Sequence, residues 1–375
     1  MLDLCFKLNH DNTMKRLLTH TAILGAILVT PFSYSNDQKE SPWRWSREVN
    51  AGCEVPVDCK NFLPQDCPDR IQGSVNFLYL KRSEPAKRIL AGATGVTNGV
   101  TSVTNTIDAS NYDFDFEAGL DVSAAIRLGE SADCLVLEAR GMGLSEFTGY
   151  QDYRATQANP TLTTFFNTAN PNMTLPPVGL VHSTYTSELS SFEVNLKKQL
   201  ECVEVSLGLR YVNLDESASI VAQGLVSNYT LLWQTDNDFY AVQAGAQGEL
   251  GCIGRCKIVA FGRGAIGVNS AELAAQTSEV PLATGNREGG NSDTFFASMV
   301  EAGFGLEFPI SDHSSLYAGY HGVLLNNMAT AADNLQHVTT ANTTANPVQS
   351  TVSTEVRAGT SVYYHGLKTG YSFVW

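Results

Sequence analysis

Two-residue alternation between apolar and charged side chains runs from about residue 72 to the end of this chain, and no other feature restricts its fold as tightly. The cleanest run is Tyr112 to Leu128. Phe114, Phe116, Ala118, Leu120, Val122, Ala124, Ile126 and Leu128 fall on one face, and Asp113, Asp115, Glu117, Asp121, Ser123 and Arg127 on the other. Successive strand residues point to opposite sides, whereas a helix would scatter these charges round its circumference. The stretch therefore reads as a strand with one apolar and one charged face. The pattern recurs at Phe192, Val194 and Leu196 against Glu193, Asn195 and Lys197. It recurs at Val203, Val205, Leu207, Leu209 and Tyr211 against Glu204, Ser206 and Arg210, and at Phe296, Val300, Ala302, Phe304, Leu306 and Phe308 against Glu301 and Glu307. Less regular versions cover 72–82, 135–146, 238–250, 257–269, 315–325 and 361–375, which makes about ten strands, with twelve also admissible.

A sheet with an apolar face must hide that face in a core or in lipid. Three features favour lipid. Charged residues are only 17% of the chain, against about 25% in soluble domains. The connections alternate: short near 129–133, 199–201, 251–256 and 309–314, and long near 83–111, 147–182, 215–232, 270–293 and 326–356. Transmembrane barrels show this asymmetry of tight turns at one end and long loops at the other. The chain stops on an apolar strand tip, with Leu367, Tyr371, Phe373 and Trp375 on one face; in a soluble protein such an edge invites aggregation, whereas in a closed barrel it pairs with the first strand. Apolar runs are far short of the ~20 residues of a spanning helix. The expected fold is all-β, a single antiparallel up-and-down transmembrane barrel over 72–375. A soluble β-sandwich, the runner-up, would show longer loops at both ends.

Residues 1–35 read as a signal peptide: Met14-Lys15-Arg16 is a positive n-region, Leu17 to Phe32 an apolar h-region and Ser33-Tyr34-Ser35 a small-x-small cleavage site, with Met14 as an alternative start. Their removal takes away three basic and two acidic side chains, so the net charge of −14 becomes −15. An acidic chain without a basic, aromatic-interleaved patch is a poor nucleic-acid ligand. Residues 36–71 form a Cys-rich segment with Trp43-Arg44-Trp45 ahead of the barrel. Cys53, Cys59, Cys67, Cys134, Cys202, Cys252 and Cys256 then remain, all placed by strand counting at the short-turn end. In an oxidising periplasm these are disulfide candidates. Cys252 and Cys256 invite a local bridge closing their turn, whereas a metal site would need a second pair at ligand spacing. An odd number leaves at least one thiol unpaired or shared with another chain. No cofactor and no metal are expected.

The terminal pattern of Leu367, Tyr371, Phe373 and Trp375 resembles the signal that outer-membrane barrels present to their assembly machinery. The segments Asn111 to Leu120, Gly208 to Glu216 and Asn237 to Gln243 resemble pieces of β-barrel porin families related to the Legionella-type major pore-forming outer-membrane protein. This resemblance spans about residues 72–375. It implies a bacterial outer-membrane location, with membrane lipid and the barrel assembly machinery as partners.

The inward face would carry Asp113, Asp115, Glu117, Asp121, Arg127, Glu138, Arg140, Glu193, Lys197, Glu204, Arg210, Glu249, Arg263, Glu301 and Glu307. The expected function is that of a porin-like or pore-forming outer-membrane protein acting by passive, charge-biased diffusion, and two readings of the lumen itself stay open. The charges could line a narrow polar pore that biases passive diffusion, or pair with one another and plug the lumen, as interiors of small barrels do. The plugged barrel would have a structural or surface-interaction role. An enzyme is not expected, because a rim hydrolase would need His182, His321 or His365 beside a specific acid or nucleophile, and no spacing joins them; His182 merely precedes Ser183.

Overall fold

The computed structural model describes residues 71–374 apart from 98–99, 129–134, 155–160, 165–177, 201–202, 225–227, 281–286, 312, 335–338, 343–349 and 354. Ten antiparallel strands close into a barrel: β1 (Ile71–Arg82), β2 (Phe116–Leu128), β3 (Leu135–Leu144), β4 (Val178–Leu200), β5 (Val203–Gly224), β6 (Asn228–Ile253), β7 (Cys256–Val280), β8 (Arg287–Ser311), β9 (Ser314–Met328) and β10 (Thr360–Val374). Each strand pairs with its neighbours in sequence, and β1 pairs with β10 to close the ring. Beyond Ser145 and Glu146, Phe147–Arg154 pairs with the upper part of β4 as one extra strand. Among the described residues no helix is long and apolar enough to cross a membrane. At the short-turn end β6 and β7 meet at Gly254-Arg255, where Gly254 takes a φ of 64°. A two-residue hairpin matched to strand twist needs that left-handed geometry, which glycine adopts without a Cβ clash.

The strands β4 to β8 run to 22–26 residues. At about 3.3 Å per residue and a tilt of about 40°, a 25-residue strand rises roughly 60 Å, more than twice the ~25 Å apolar band of such barrels. The excess is visible in the side chains. In the lower part of β5, outward Leu207 and Leu209 are each 65% exposed while inward Arg210 is buried. Above Tyr211 the strand keeps its phase but the chemistry inverts: inward Val212, Leu214, Ala218 and Ile220 are buried, and outward Asn213, Asp215, Ser217 and Ser219 are polar. The same inversion occurs on β6 between outward Tyr240 and Val242 and inward Phe239, Trp233 and Leu231, and on β7 between outward Ile266 and Val268 and inward Ala271 and Leu273. The lower barrel is therefore built for lipid outside and charge inside. The upper barrel is built for water outside and an apolar core inside.

This inversion corrects two of the five expected long loops. Residues 215–232 and 270–293 are mostly strand, with β5 and β6 separated by 225–227 and β7 and β8 by 281–286. The other three long connections stand, but they carry structure. Ile89–Thr97, Val100–Asp108 and Thr161–Thr164 form a small sheet, Thr339–Asn342 pairs with Ser350–Ser353, and Ala331–Asn334 is one helical turn. The strand expected from Tyr112 begins only at Phe116. Asp115 and Phe116 are both exposed, so the alternation slips there: Tyr112 and Phe114 are fully buried inside the barrel, and Asp113 lies outside, paired with Lys81 at 2.9 Å. Asp113 and Asp115 are thus not lumen residues, and Phe114 does not face lipid.

Candidate functional site in the lumen

The polar face that points inward below the inversion is filled by a single ion network. Arg140 on β3 is its hub. Its Nε and Nη2 donate to the two oxygens of Asp121 on β2 at 2.7 and 2.9 Å, its Nη1 to Glu193 on β4 at 2.7 Å, and its Nη2 also to Glu301 on β8 at 2.7 Å. In a ring of ten strands β3 and β8 are five apart by either route, so Arg140 to Glu301 spans the full width of the lumen. Arg210 on β5 donates to the other oxygen of Glu301 at 2.5 Å, and Arg263 on β7 reaches Glu193 and Glu301 at 3.3 and 3.5 Å. Lys368 on β10 holds Asp121, and Gln243 on β6 donates to both Glu193 and Asn195. A second group lies nearer the short turns, where Lys197 binds Glu138 at 2.6 Å and Glu204 at 3.0 Å, and Asn195 links Glu138 to the first group.

Five cations, Arg140, Arg210, Arg263, Lys197 and Lys368, meet five carboxylates, Asp121, Glu138, Glu193, Glu204 and Glu301. Formal charge balances within the network. Side-chain exposure is 4% for Arg140 and 0% for Glu301, so these charges have left water. Moving a single ion into such a place costs several kcal/mol, and only a partner with good geometry offsets that. Multiple bonds to each carboxylate supply it, and they tie strands around the whole ring to one another. His321, fully buried on β9, lies 3.5 Å from Glu301, with its ring against Phe261.

Above this network the lumen is closed a second time, by chain rather than by strands. The segment from Ile107 to Phe114 turns inward, burying Ile107, Ala109, Tyr112 and Phe114. From the other side enters 329–334, burying Ala329, Ala331, Ala332 and Asn334. Trp233 donates its indole N–H to the Ala331 carbonyl at 2.6 Å, and Asn237 pairs with both backbone groups of Ala329 at 2.8 Å. Arg82 and Glu216 form a fully buried ion pair inside this layer. Tyr185 donates to Glu216 at 2.5 Å, the Ala331 N–H does so at 3.2 Å, and the Arg82 guanidinium lies 4.7 Å over the Phe114 ring. Burial, and after it the Glu216 charge, push the Tyr185 phenol well above its usual value. Burial also pushes Tyr112 up to about 12. Both phenols therefore stay protonated, and Tyr185 remains a donor to Glu216.

The remaining expected lumen residues sit at the ends. Glu117 is half-buried on the inward side of β2, Arg127 is half-buried near the short turns, Glu307 accepts from Ser315 at 2.5 Å, and Glu249 lies 3.5 Å from Lys257. Arg82, Glu216, Gln243 and Lys368 were not anticipated. Lys368 had a signal, since it alternates with outward Leu367 and Tyr371; Glu216 had none, because its segment read as a loop. On the terminal strand, Leu367 and Tyr371 face outward, Phe373 is on the same face, and Trp375 lies outside the described residues.

His182 and Ser183, adjacent in sequence, point to opposite sides of β4. Ser183 is buried inside, bonded to Tyr112, while outward His182 meets Asp152 at 2.5 Å and Thr184 at 3.2 Å. Of the cysteines, Cys53, Cys59, Cys67, Cys134 and Cys202 lie outside the described residues. Cys256 is a free thiol, so the local bridge to Cys252 expected across the turn does not form; Cys252 is itself engaged.

Among solved structures, the outer membrane protease OmpT from Escherichia coli aligns at 9% identity and a TM-score of 0.42, covering 82% of this chain and 97% of that one. The translocator domain of the autotransporter NalP from Neisseria meningitidis aligns at 12% and 0.34, covering 84% and 92%. An anion-selective porin from Comamonas acidovorans aligns at 12% and 0.17, covering 81% and 98%. No curated protein matches. The model of one family, Putative beta barrel porin-7 (BBP7), matches residues 93–375, which take in nine of the ten barrel strands and the whole lumen network, and the chain belongs to that family.

Proposed function

We propose that this protein is a bacterial outer-membrane barrel whose resting lumen is closed, and that it serves the envelope as a structural or surface-interaction barrel. The observation that carries this reading is Arg140 bonded at once to Asp121, Glu193 and Glu301, with the last of these across the diameter of the ring. Charge-biased passive diffusion would need water and a mobile ion where these side chains stand, and it would need a second path through the buried core around Trp233 and Tyr185. The outward apolar band supports membrane lipid as the surrounding medium, and the aromatic face of β10 supports delivery by the barrel assembly machinery. That Cys252 is engaged while Cys256 is free supports a bridge leading away from the turn, such as one to the Cys-rich segment before β1.

Conductance of the refolded protein in a planar bilayer tests the closed lumen. The expected record is a silent bilayer from protein whose folding is verified by its heat-modifiable gel migration. Steady ohmic steps from the unmodified protein would restore the diffusion pore.

A further inference from the structure

On the lipid-facing wall of β4 to β7 lies a trough of about 630 Å3, walled by Phe192, Tyr211 and Tyr240 and floored by Val194, Leu209, Val242 and Ile266. Its lining is almost wholly apolar, and it sits at the level where the outer wall changes from apolar to polar. Towards the middle of the band the floor stays low, because Ala244 pairs with Gly264 and Ala246 with Gly262, and open space surrounds both glycines. With the row of Val242 and Ile266 above them, these rows extend about 13 Å along the strands.

Directly above the tyrosines the outer wall turns acidic. Glu188, Asp215, Asp236 and Glu272 are register partners on β4, β5, β6 and β7, and Asp238 lies one row nearer the trough. Their row neighbours on the outward face, Ser190, Asn213, Ser270, Ser292 and Thr294, are uncharged, and these two rows hold no Lys or Arg. Tyr211 donates to Asp238 at 2.5 Å, and Asn213 to Asp236 at 2.8 Å, so two of the carboxylates are held in place just above the trough.

We propose that this trough is a lipid site: it takes one acyl chain of a membrane lipid whose headgroup presents a primary ammonium to the carboxylate rows. Position and charge complementarity select that occupant. A chain lying in the trough would put its ester and headgroup at the tyrosine level, and Asp238 is two residues, about 7 Å, further along the strand. An anionic headgroup would meet like charge there. A second copy of this chain docked about a two-fold axis would set the same carboxylate rows against each other. Burial, and then the charge of Asp236, push the Asp215 carboxyl up to about 7, a repulsion that a bound ammonium relieves. The site is on the outer wall and is independent of whether the lumen conducts.

The test is native mass spectrometry of the full chain from micelles doped in turn with phosphatidylethanolamine, phosphatidylcholine and phosphatidylglycerol of identical acyl chains. The expected result is retention of the ethanolamine lipid about tenfold above the other two, a difference of about 1.4 kcal/mol. Val242→Trp and, separately, Ile266→Trp fill the trough and should abolish retention of the ethanolamine lipid. Asp236→Asn with Asp238→Asn should lower it to the choline level while leaving the choline lipid unchanged. Equal retention of the three headgroups by the unmodified protein overturns the proposal. So does a preference for the glycerol lipid, with or without divalent cation, or undiminished retention by a folded Trp variant. Should either Trp variant fail to fold, the aspartate pair, which lies on the solvated wall, decides.

Discussion

At the residue scale, the protein handles buried charge in two opposite ways. In the lumen each carboxylate is matched by a cation, so removing one member would strand its partner. On the outer wall Asp215 has only like charges as its titrating influences: burial first, then Asp236, Glu188 and Asp238, hold its carboxyl up to about 7. An unfolded aspartate titrates near 3.9. The folded state therefore binds this proton more tightly than the unfolded one, and stability from this group is greatest below about pH 4, falls as pH rises to about 7, and stays reduced above. Asp215→Asn keeps the shape and removes the titration. The variant should be more stable than the parent at pH 8 and show little difference at pH 4, measured by urea unfolding followed through tryptophan fluorescence. Subtracting the parent at each pH cancels the titrating groups that do not interact with Asp215, and Asp236, which acts on the same proton, belongs to the measured difference; an equal difference at the two pH values would refute the shift at Asp215.

At the scale of the element, each long strand carries two opposite patterns end to end. Leu207 and Leu209 are outward and apolar, Leu214 and Ile220 inward and apolar, and Tyr211 and Val212 stand side by side at the changeover. Alternation alone located the lower halves of the strands, and therefore the barrel, its ten strands and its short turns. It ended the strands too early, because a reader following one apolar face loses it where the solvent outside changes from lipid to water. The same cause hid Glu216, and the slip at Asp115 and Phe116 put Asp113 on the wrong side. Contacts across the ring, such as Arg140 with Glu301, join residues 161 apart in sequence, and only closure of the barrel brings them together. The phase of the lower strands can be tested directly. Leu207→Arg places a charge in lipid and should cost about 2–4 kcal/mol if it lies near the midplane. Ser206→Arg, one residue away, should cost less, since Glu204 shares its inward face and partly offsets its register neighbour Lys197. Similar losses in the two variants, read from urea titrations of barrel folding into vesicles, would mean the faces are exchanged.

Across the whole molecule, closure is achieved by two layers in series, and the layers differ in kind. The lower one is a neutral ion network between strand side chains; the upper one is an apolar core formed around inserted chain, with Trp233 and Asn237 holding 329–334 by its backbone. Resistances in series add, so either layer alone keeps the conductance low, and a variant that clears one of them should still be silent. Arg140→Ala by itself is a poor probe, because it leaves three carboxylates short of a partner and should cost about 3–5 kcal/mol of stability without clearing the path. Replacing Arg140, Arg210, Glu193 and Glu301 together by alanine removes two charges of each sign and leaves Asp121 with Lys368, while Arg263, at the 12% exposed edge of the network, loses its carboxylates; whole buried ion clusters are replaced more cheaply than they are broken. Excising 329–334 in favour of a short glycine link removes one of the two segments inserted in the upper layer while leaving the strands paired. We expect no steady current from the quadruple alanine variant, none from the excision, and ohmic steps only when the two are combined in protein that still migrates as a folded barrel. Current from the quadruple variant alone would show that the upper layer does not seal, and current from the excision alone would show that water and ions pass the network around Arg140. Silence from the folded combined variant would place the remaining barrier at the other inserted segment, 107–114, which still buries Tyr112 and Phe114 in the lumen.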